Sequence, residues 1–204
     1  MRDAWRGGVA AEDYESHMAA IGQAEANAKH LAGFAGRVAG RILIAGAGPG
    51  QFFDYLEPGA LEIGLAVFTD INPLFLTALR RRCPGAICVA DDLESTSLLG
   101  GFDGACATLV LEHTEWRAVV RNLIRLTPLV MIVIQVNPPE MATAVSPGRT
   151  PPGSMRAFKE VHPHLIDEAE LGEEFRRHGA QLIHRHDRPV ADGKTMRALT
   201  FQRA

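Results

Sequence analysis

The sequence predicts an α/β fold in which a parallel sheet is covered by helices on both faces. Between residues 41 and 136, short apolar segments alternate four times with helical patterns. The apolar segments are nearly continuous, as expected for parallel strands buried on both faces. A further helix is followed by two β-like segments with Asp192-Gly193 between them, which is a typical hairpin signal. We therefore expect an antiparallel pair of strands at the C-terminal end.

The individual elements follow from apolar periodicity and from residues that begin or end helices. Strands are predicted at residues 41–45, 61–69, 86–90, 102–110, 129–136, 181–186 and 195–202. Helices are predicted at residues 11–37, 51–57, 73–82, 116–124 and 167–179. Asn72 precedes Pro73, a typical helix start, and Thr114 is the candidate cap of the next helix. Asp167 and Glu170 have the spacing of a capping box at the last helix.

The N-terminal segment is Ala-rich and is predicted to form one helix over residues 11–37. Tyr14, Met18 and Ile21 lie at positions i, i+4 and i+7 and share one face of this helix. Tyr14 either only packs in this stripe or also closes over a bound ligand.

Composition indicates one globular domain and argues against two classes of function. The chain has 204 residues, 47% of them hydrophobic, and a net charge of −3, so binding to nucleic acid through charge is disfavoured. The longest apolar run, residues 129–134, has the length of a strand and is too short to span a membrane. The three cysteines lack CxxC spacing and are expected to be reduced thiols in a cytoplasmic protein: Cys83, Cys88 and Cys106.

A glycine-rich turn follows the first strand. Gly46, Gly48 and Gly50 allow the backbone to pass close to a ligand, because glycine has no Cβ. The following helix N-terminus adds N–H donors for an anionic group. The alternative is a tight strand-to-helix turn without a ligand.

Acidic residues end the next two strands at the same edge of the sheet. Asp70 is positioned to accept hydrogen bonds from both hydroxyls of a ribose. Asp91 is positioned to accept from an adenine amino group, and Asp92 competes for this role. The alternative for both strand ends is an aspartate that caps a helix.

Residues 37–136 resemble a class I S-adenosylmethionine-dependent methyltransferase. The resemblance rests on Ile42-Leu43-Ile44-Ala45-Gly46-Ala47-Gly48-Pro49-Gly50, on Asp70 and Asp91 at the strand ends, and on Leu111-Glu112-His113 after the fourth strand. It implies a three-layer sandwich with a seven-stranded, mostly parallel sheet whose last strand is antiparallel. It also implies an N-terminal helical cap (residues 1–36) on a methyltransferase domain (residues 37–204). The residues implied at the cofactor are Tyr14, Gly46, Ala47, Gly48, Gly50, Gln51, Asp70, Ile71, Asp91, Asp92, Leu93 and Leu109.

The resemblance also places Glu112 and His113 beside the substrate cleft. His113 titrates near neutrality and is the preferred base, whereas the alternative is that both residues cap the next helix.

One position departs from the family, which usually has an acid two residues before the first glycine. Ile44 occupies that position here, so a contact near the methionine moiety is missing.

The long segment over residues 137–165 is rich in Pro and Gly. It is expected to cover the cleft and to contact the methyl acceptor. The alternative is a solvated loop. Its candidate contact residues are Arg156, Phe158, Lys159, His162 and His164. No third ligand with suitable spacing joins His162 and His164, so no metal site is predicted.

The predicted function is transfer of a methyl group from S-adenosylmethionine to a small molecule by in-line displacement, in a monomer or homodimer. Positioning supplies much of the catalysis in such a reaction. One alternative is an NAD-dependent oxidoreductase, but the third glycine of its GxGxxG fingerprint is absent because Gln51 occupies that position. The other alternative is a non-catalytic binding protein with the same fold, which the Ile44 substitution keeps open.

Overall fold

The computed structural model describes residues 5–146, 150, 152–159 and 163–204. The predicted contact residue His162 lies outside these residues, and the side chains of residues 157–159 are not described. None of the described helices has the length and apolar character needed to cross a membrane. All three cysteines are free thiols.

Seven strands form one sheet in the order β3-β2-β1-β4-β5-β7-β6. They are β1 (Ile42–Ala45), β2 (Ala66–Asp70), β3 (Ile87–Ala90), β4 (Gly104–Thr108), β5 (Leu129–Val136), β6 (Ala180–Pro189) and β7 (Thr195–Arg203). Strands β1 to β5 are parallel, and β7 is antiparallel to both of its neighbours, β5 and β6. The predicted fold class is therefore confirmed.

Five α-helices accompany the sheet in the part of the chain that the structure describes. They are α1 (Ala11–Ala20), α2 (Gln23–Ala35), α3 (Pro73–Arg82), α4 (Trp116–Leu126) and α5 (Glu168–Arg177). One hydrophobic core joins α4 and α5 to one face of the sheet, with Val119 and Phe175 fully buried. A second core joins α2 and α3 to the opposite face, with Phe34 and Leu79 buried. The layers are therefore helix, sheet and helix.

Several helix boundaries are those expected from the sequence. The Asn72 side chain accepts a hydrogen bond from Leu74 N at 3.0 Å, and Asp167 accepts from Glu170 N at 2.9 Å. The hairpin turn has positive φ at Asp192 (61°). The predicted bounds of β5 agree fully with the structure.

Other boundaries correct the sequence prediction. Residues 11–37 form two helices instead of one, because Gly22 between them has φ 75°, a left-handed conformation that ends a helix. The Thr114 hydroxyl donates back to Val110 O at 3.2 Å, so it does not cap α4, whose N-cap is Glu115. The predicted helix over residues 51–57 is a short 3-10 segment, Gln51–Tyr55. The second strand begins only at Ala66.

Candidate functional site

A cleft of about 180 Å³ lies at the carboxyl ends of β1 to β4 and is partly covered by α1. The predicted site residues that line it are Tyr14, Gly46, Gly48, Asp70, Ile71, Asp91, Asp92, Leu93, Leu109, Glu112 and His113. Ala47 and Gln51 instead line a smaller adjoining cavity. Gly50 lines neither of these two spaces. The fold thus brings most of the predicted residues together at one edge of the sheet.

Glycine is required at this turn because of positive φ angles and because a Cβ would meet neighbouring side chains. Gly46 has φ 66°, and a Cβ there would collide with the side chain of Val110. Gly48 has φ 59°, and a Cβ there would lie 3.3 Å from both Gln51 and Tyr14. Gly50 has φ 81° and precedes the 3-10 segment, where a Cβ would lie 3.0 Å from Leu79. Gly50 therefore serves the turn and its packing.

Asp70, the last residue of β2, is buried and is held by backbone N–H groups. Its Oδ2 accepts from Gly48 N and its Oδ1 accepts from Asn72 N, both at 2.8 Å. Burial raises the pKa of this carboxyl to about 6, although these hydrogen bonds oppose the shift. Asn72, not Asp70, caps α3. A carboxylate has about four acceptor positions, so further donors can still bind.

Asp91 follows β3 and presents an unused acceptor. Its Oδ1 accepts from Ser97 N at 3.3 Å, whereas its buried Oδ2 has no hydrogen-bond partner within the described residues. In the described structure, the chain after β3 continues to β4 without a helix, so the capping alternative does not apply to Asp91. Asp92 forms a salt bridge with Arg6 at 3.2 Å, and Leu93 is buried at the cleft. Asp91 is therefore the better-placed acceptor of the two acids.

Aromatic side chains cover the cleft from α1 and α3. The Tyr14 ring lies 5.3 Å from Phe75 and 5.8 Å from Trp5, measured between ring centroids. Burial, with the nearby charges of Asp70 and Glu112, raises the pKa of the Tyr14 phenol well above its usual range. At neutral pH this phenol is therefore an uncharged hydrogen-bonding group.

Leu109, directly after β4, has φ 54°, an unusual conformation for a residue other than glycine. Its N–H donates to Val133 O at 2.9 Å, and this bond holds the strained backbone at the cleft wall. Strain of this kind is concentrated at functional sites.

Glu112 and His113 lie in a 3-10 turn, Leu111–His113, that begins three residues after the end of β4. Glu112 Oε1 accepts from Gln135 N at 3.0 Å, and burial raises the pKa of the Glu112 carboxyl to about 7. Burial, with a smaller effect of His164, lowers the pKa of His113 to about 4. Among the described residues, Glu112 Oε2 and His113 Nδ1 are buried without partners. Helix α4 begins without a side-chain cap, so the capping alternative is wrong for both.

The segment after β5 contributes to the cleft, but through apolar contacts. Val145, Met155 and Pro163 line it. Arg156 is exposed, and neither its side chain nor that of His164 lines the cleft, so the expected polar contacts are not seen for these two residues. Groups of His, Cys, Asp and Glu suited to a metal ion are absent from the described part of the chain.

Gln135, Trp5 and Met155 are among the lining residues that the sequence did not predict. Gln135 is the only polar residue within β5, and a polar residue in an otherwise apolar strand could have indicated a functional position. Its side chain accepts from Gln23 at 3.0 Å and thus connects β5 to α2. Trp5 and Met155 come from distant segments without regular periodicity, and no sequence signal placed them at the cleft.

Comparison with known proteins identifies the fold through structure alone. No family model and no curated protein matches the sequence. A magnesium protoporphyrin IX methyltransferase from Synechocystis PCC 6803 with bound SAH superimposes with a TM-score of 0.64 and 15% identity, over 87% of this chain and 82% of that chain. The glycopeptide N-methyltransferase MtfA with SAH gives a TM-score of 0.62 and 15% identity, covering 87% of each chain. A TehB-like SAM-dependent methyltransferase from Corynebacterium glutamicum gives 0.62 and 18%, over 95% of this chain and 98% of that one. The chain therefore has the fold of the class I S-adenosylmethionine-dependent methyltransferases.

Proposed function

We propose that this protein is an S-adenosylmethionine-dependent methyltransferase that acts on a small molecule. The observation that carries the proposal is the juxtaposition of the glycine turn with Asp70 and Asp91 at successive strand ends. Asp70 would accept from the ribose hydroxyls, and the unpartnered Asp91 Oδ2 would accept from the adenine amino group. The residues present thus fit an adenosyl group.

The charge of the cleft also fits this cofactor, which would supply a positively charged sulfonium with a transferable methyl group. Five acidic side chains line the cleft: Asp70, Asp91, Asp92, Glu94 and Glu112. Lysine and arginine are absent from its described lining. A cation is therefore favoured in this space, and a strongly anionic ligand such as a dinucleotide pyrophosphate is disfavoured.

Glu112 is the better candidate to accept a proton from an acceptor hydroxyl or amine. A general base is most effective when its pKa is near the working pH, and Glu112 has a pKa of about 7. His113, at about 4, is neutral at pH 7 and only weakly basic. The hydrogen bond from Gln135 N fixes Oε1, which leaves Oε2 available for the acceptor. His113 would then orient the acceptor through Nδ1.

We also propose that the N-terminal helices form a cap over the cofactor. Tyr14 and Met18 of α1 line the cleft. Polar contacts hold α1 in place, among them the salt bridge from Arg82 to Glu15 at 2.9 Å and the hydrogen bond from Ser154 Oγ to Asp13 at 2.7 Å. This cap would exclude water from the site of methyl transfer.

Calorimetric titration with S-adenosylhomocysteine, with NADH in parallel, tests the proposal. Binding of S-adenosylhomocysteine alone is expected and justifies a screen of acceptors with labelled S-adenosylmethionine. Binding of NADH alone would contradict the proposal and favour an oxidoreductase. Binding of neither would favour a non-catalytic protein with this fold.

A further inference from the structure

The main cleft continues past β4 to the end of β5, away from the proposed ribose and adenine contacts at β2 and β3. We call this part of the cleft the β5 end. It is lined by Trp5, Glu112, His113, Gln135, Val145 and Met155. Polar groups thus meet apolar side chains here, and a molecule that fits has a polar head group on an apolar body.

The polar hydrogens of Gln135 and Thr114, which both line the cleft, are used within the protein. Gln135 Nε2 donates to Asn137 Oδ1 at 2.7 Å and to Ala144 O at 2.9 Å. The Thr114 hydroxyl donates to Val110 O at 3.2 Å. A head group that needs donors from the protein, such as a carboxylate, would have to break these bonds.

The unused polar atoms at the β5 end can accept hydrogen bonds. Glu112 is 3% exposed, and its Oε2 has no hydrogen-bond partner among the described residues. His113 Nδ1 is also buried without a partner in that part of the chain, and it accepts in the tautomer that carries its proton on Nε2. Two such atoms on one turn are satisfied by an ammonium group, which has several N–H donors, better than by a hydroxyl, which has one.

The charge of the β5 end favours the same head group. Lysine and arginine are absent from the described lining, and a pKa of about 4 leaves His113 neutral at pH 7. An alcohol or phenol develops negative charge on oxygen as it loses its proton, and no cationic side chain of the described lining stabilises that charge. An amine attacks as a neutral molecule, and its ammonium form is attracted to the Glu112 carboxylate.

We propose that the methyl acceptor is an amine on an apolar body, and that Glu112 and His113 select it by binding its nitrogen. This inference rests on the proposed function, because it names the acceptor of the same methyl transfer. The ammonium group first gives a proton to Glu112 Oε2. The nitrogen lone pair then forms the N–C bond while the C–S bond of the sulfonium breaks, and the electron pair of that bond stays on sulfur. The products are a methylammonium ion and a neutral thioether, and Glu112 returns its proton to solvent.

The test measures head-group preference by calorimetry in protein saturated with S-adenosylhomocysteine. The probes are phenethylamine, phenethyl alcohol and hydrocinnamate, together with tryptamine, tryptophol and indolepropionate, which carry the same three head groups on an indole body. At least one amine is expected to bind about tenfold more tightly than its matched alcohol and acid. Labelled S-adenosylmethionine should then transfer its methyl group to the nitrogen of that amine.

Glu112→Gln keeps the side-chain shape and an oxygen for the bond from Gln135 N, but it removes the charge. This variant should reduce the preference for the amine to about twofold or less, and its binding of S-adenosylhomocysteine shows that the site is still folded. If that binding is lost, His113→Phe takes its place, because it keeps a ring beside Trp5 but removes Nδ1, and it should weaken amine binding more than alcohol binding. Glu115→Gln is the matched control, since Glu115 is exposed and does not line the cleft, and it should keep the wild-type preference.

Three results would overturn the inference and leave the proposed function intact, provided that S-adenosylhomocysteine binds the wild-type protein. They are amines that bind no more tightly than their matched alcohols or acids, amines that do not bind at all, and a folded Glu112→Gln variant that keeps the full preference. Failure of S-adenosylhomocysteine to bind the wild-type protein would overturn the proposed function, and this inference with it.

Discussion

The substitution Asp70→Asn separates the proposed role of this carboxylate in cofactor binding from its effect on stability. At neutral pH the buried carboxylate is mostly ionised, and its pKa of about 6 lies above the ordinary value of 3.8. Because one pKa unit is about 1.4 kcal/mol, this difference means that the ionised carboxylate destabilises the folded state by about 3 kcal/mol. Asparagine does not pay this cost of burying a charge.

The amide introduces a smaller cost of its own. Gly48 N and Asn72 N both donate to Asp70, and asparagine offers an oxygen to only one of them. A buried N–H without an acceptor costs about 1–3 kcal/mol. The free energy of unfolding of the Asp70→Asn variant, measured without cofactor by urea denaturation at pH 7, should therefore be unchanged or up to about 2 kcal/mol higher.

Cofactor affinity should nevertheless fall. A hydrogen bond to a charged group contributes about 1.5–3 kcal/mol, so loss of one ribose contact weakens S-adenosylhomocysteine binding about 10- to 150-fold. Calorimetric titration measures this change. Asp103→Asn is the control, because Asp103 accepts from Arg41 N at 2.7 Å at the opposite end of the sheet. An Asp70→Asn affinity within about twofold of wild type would refute the ribose assignment.

Three further predictions concern stability. Burial raises the pKa of Glu112 from 4.5 to about 7, so the free energy of unfolding of the wild type should fall as the pH rises through this window. Over the same range the Glu112→Gln variant should gain about 3 kcal/mol of stability relative to the wild type. A difference between the two proteins that does not change with pH in urea denaturation would contradict this. Gly33→Ala, at a solvent-exposed position within α2, should raise the free energy of unfolding by about 0.5–1 kcal/mol. Gly22→Ala should lower it by about 1–2 kcal/mol, because Gly22 has a φ of 75°. If both substitutions changed the stability in the same direction, the conformational argument would be contradicted. Gly46→Ala should lower the melting temperature and abolish S-adenosylhomocysteine binding, because the new Cβ collides with Val110; unchanged binding in thermal shift assays would show that this turn adapts.

The elements that were predicted well are those whose signal is local or strongly apolar. The bounds of β5 agree because its continuous apolar run begins and ends sharply. The cap at Asn72 was predictable because Pro73 marks the first helical position. The role of Thr114 was not, since a hydroxyl can bond either to the following N–H groups or back to preceding carbonyls. The break at Gly22 was also missed, because one glycine in a helical pattern is compatible with continuation.

The same distinction applies to the site. Asp70 and Asp91 were predictable as neighbours because parallel strands end at one edge of a sheet. The difference between Glu112 and His113 was not predictable, since burial in the folded chain moves their pKa values in opposite directions. Part of the packing around His113 comes from Trp5, a distant N-terminal residue whose ring lies 4.8 Å from the His113 ring. Sequence proximity placed both groups at the cleft, and only tertiary packing distinguished them.

The apolar cluster above the cleft has a consequence for the speed of ligand exchange. Val9, Phe75 and Met155 form this cluster together with Trp5 and Tyr14, separately from the two cores on the faces of the sheet. So small a cluster is able to open while both sheet cores remain intact, as expected for the least stable parts of a folded protein. We therefore expect cofactor dwell time to follow the opening frequency of this aromatic cover, so that substitutions within it change residence time independently of global stability.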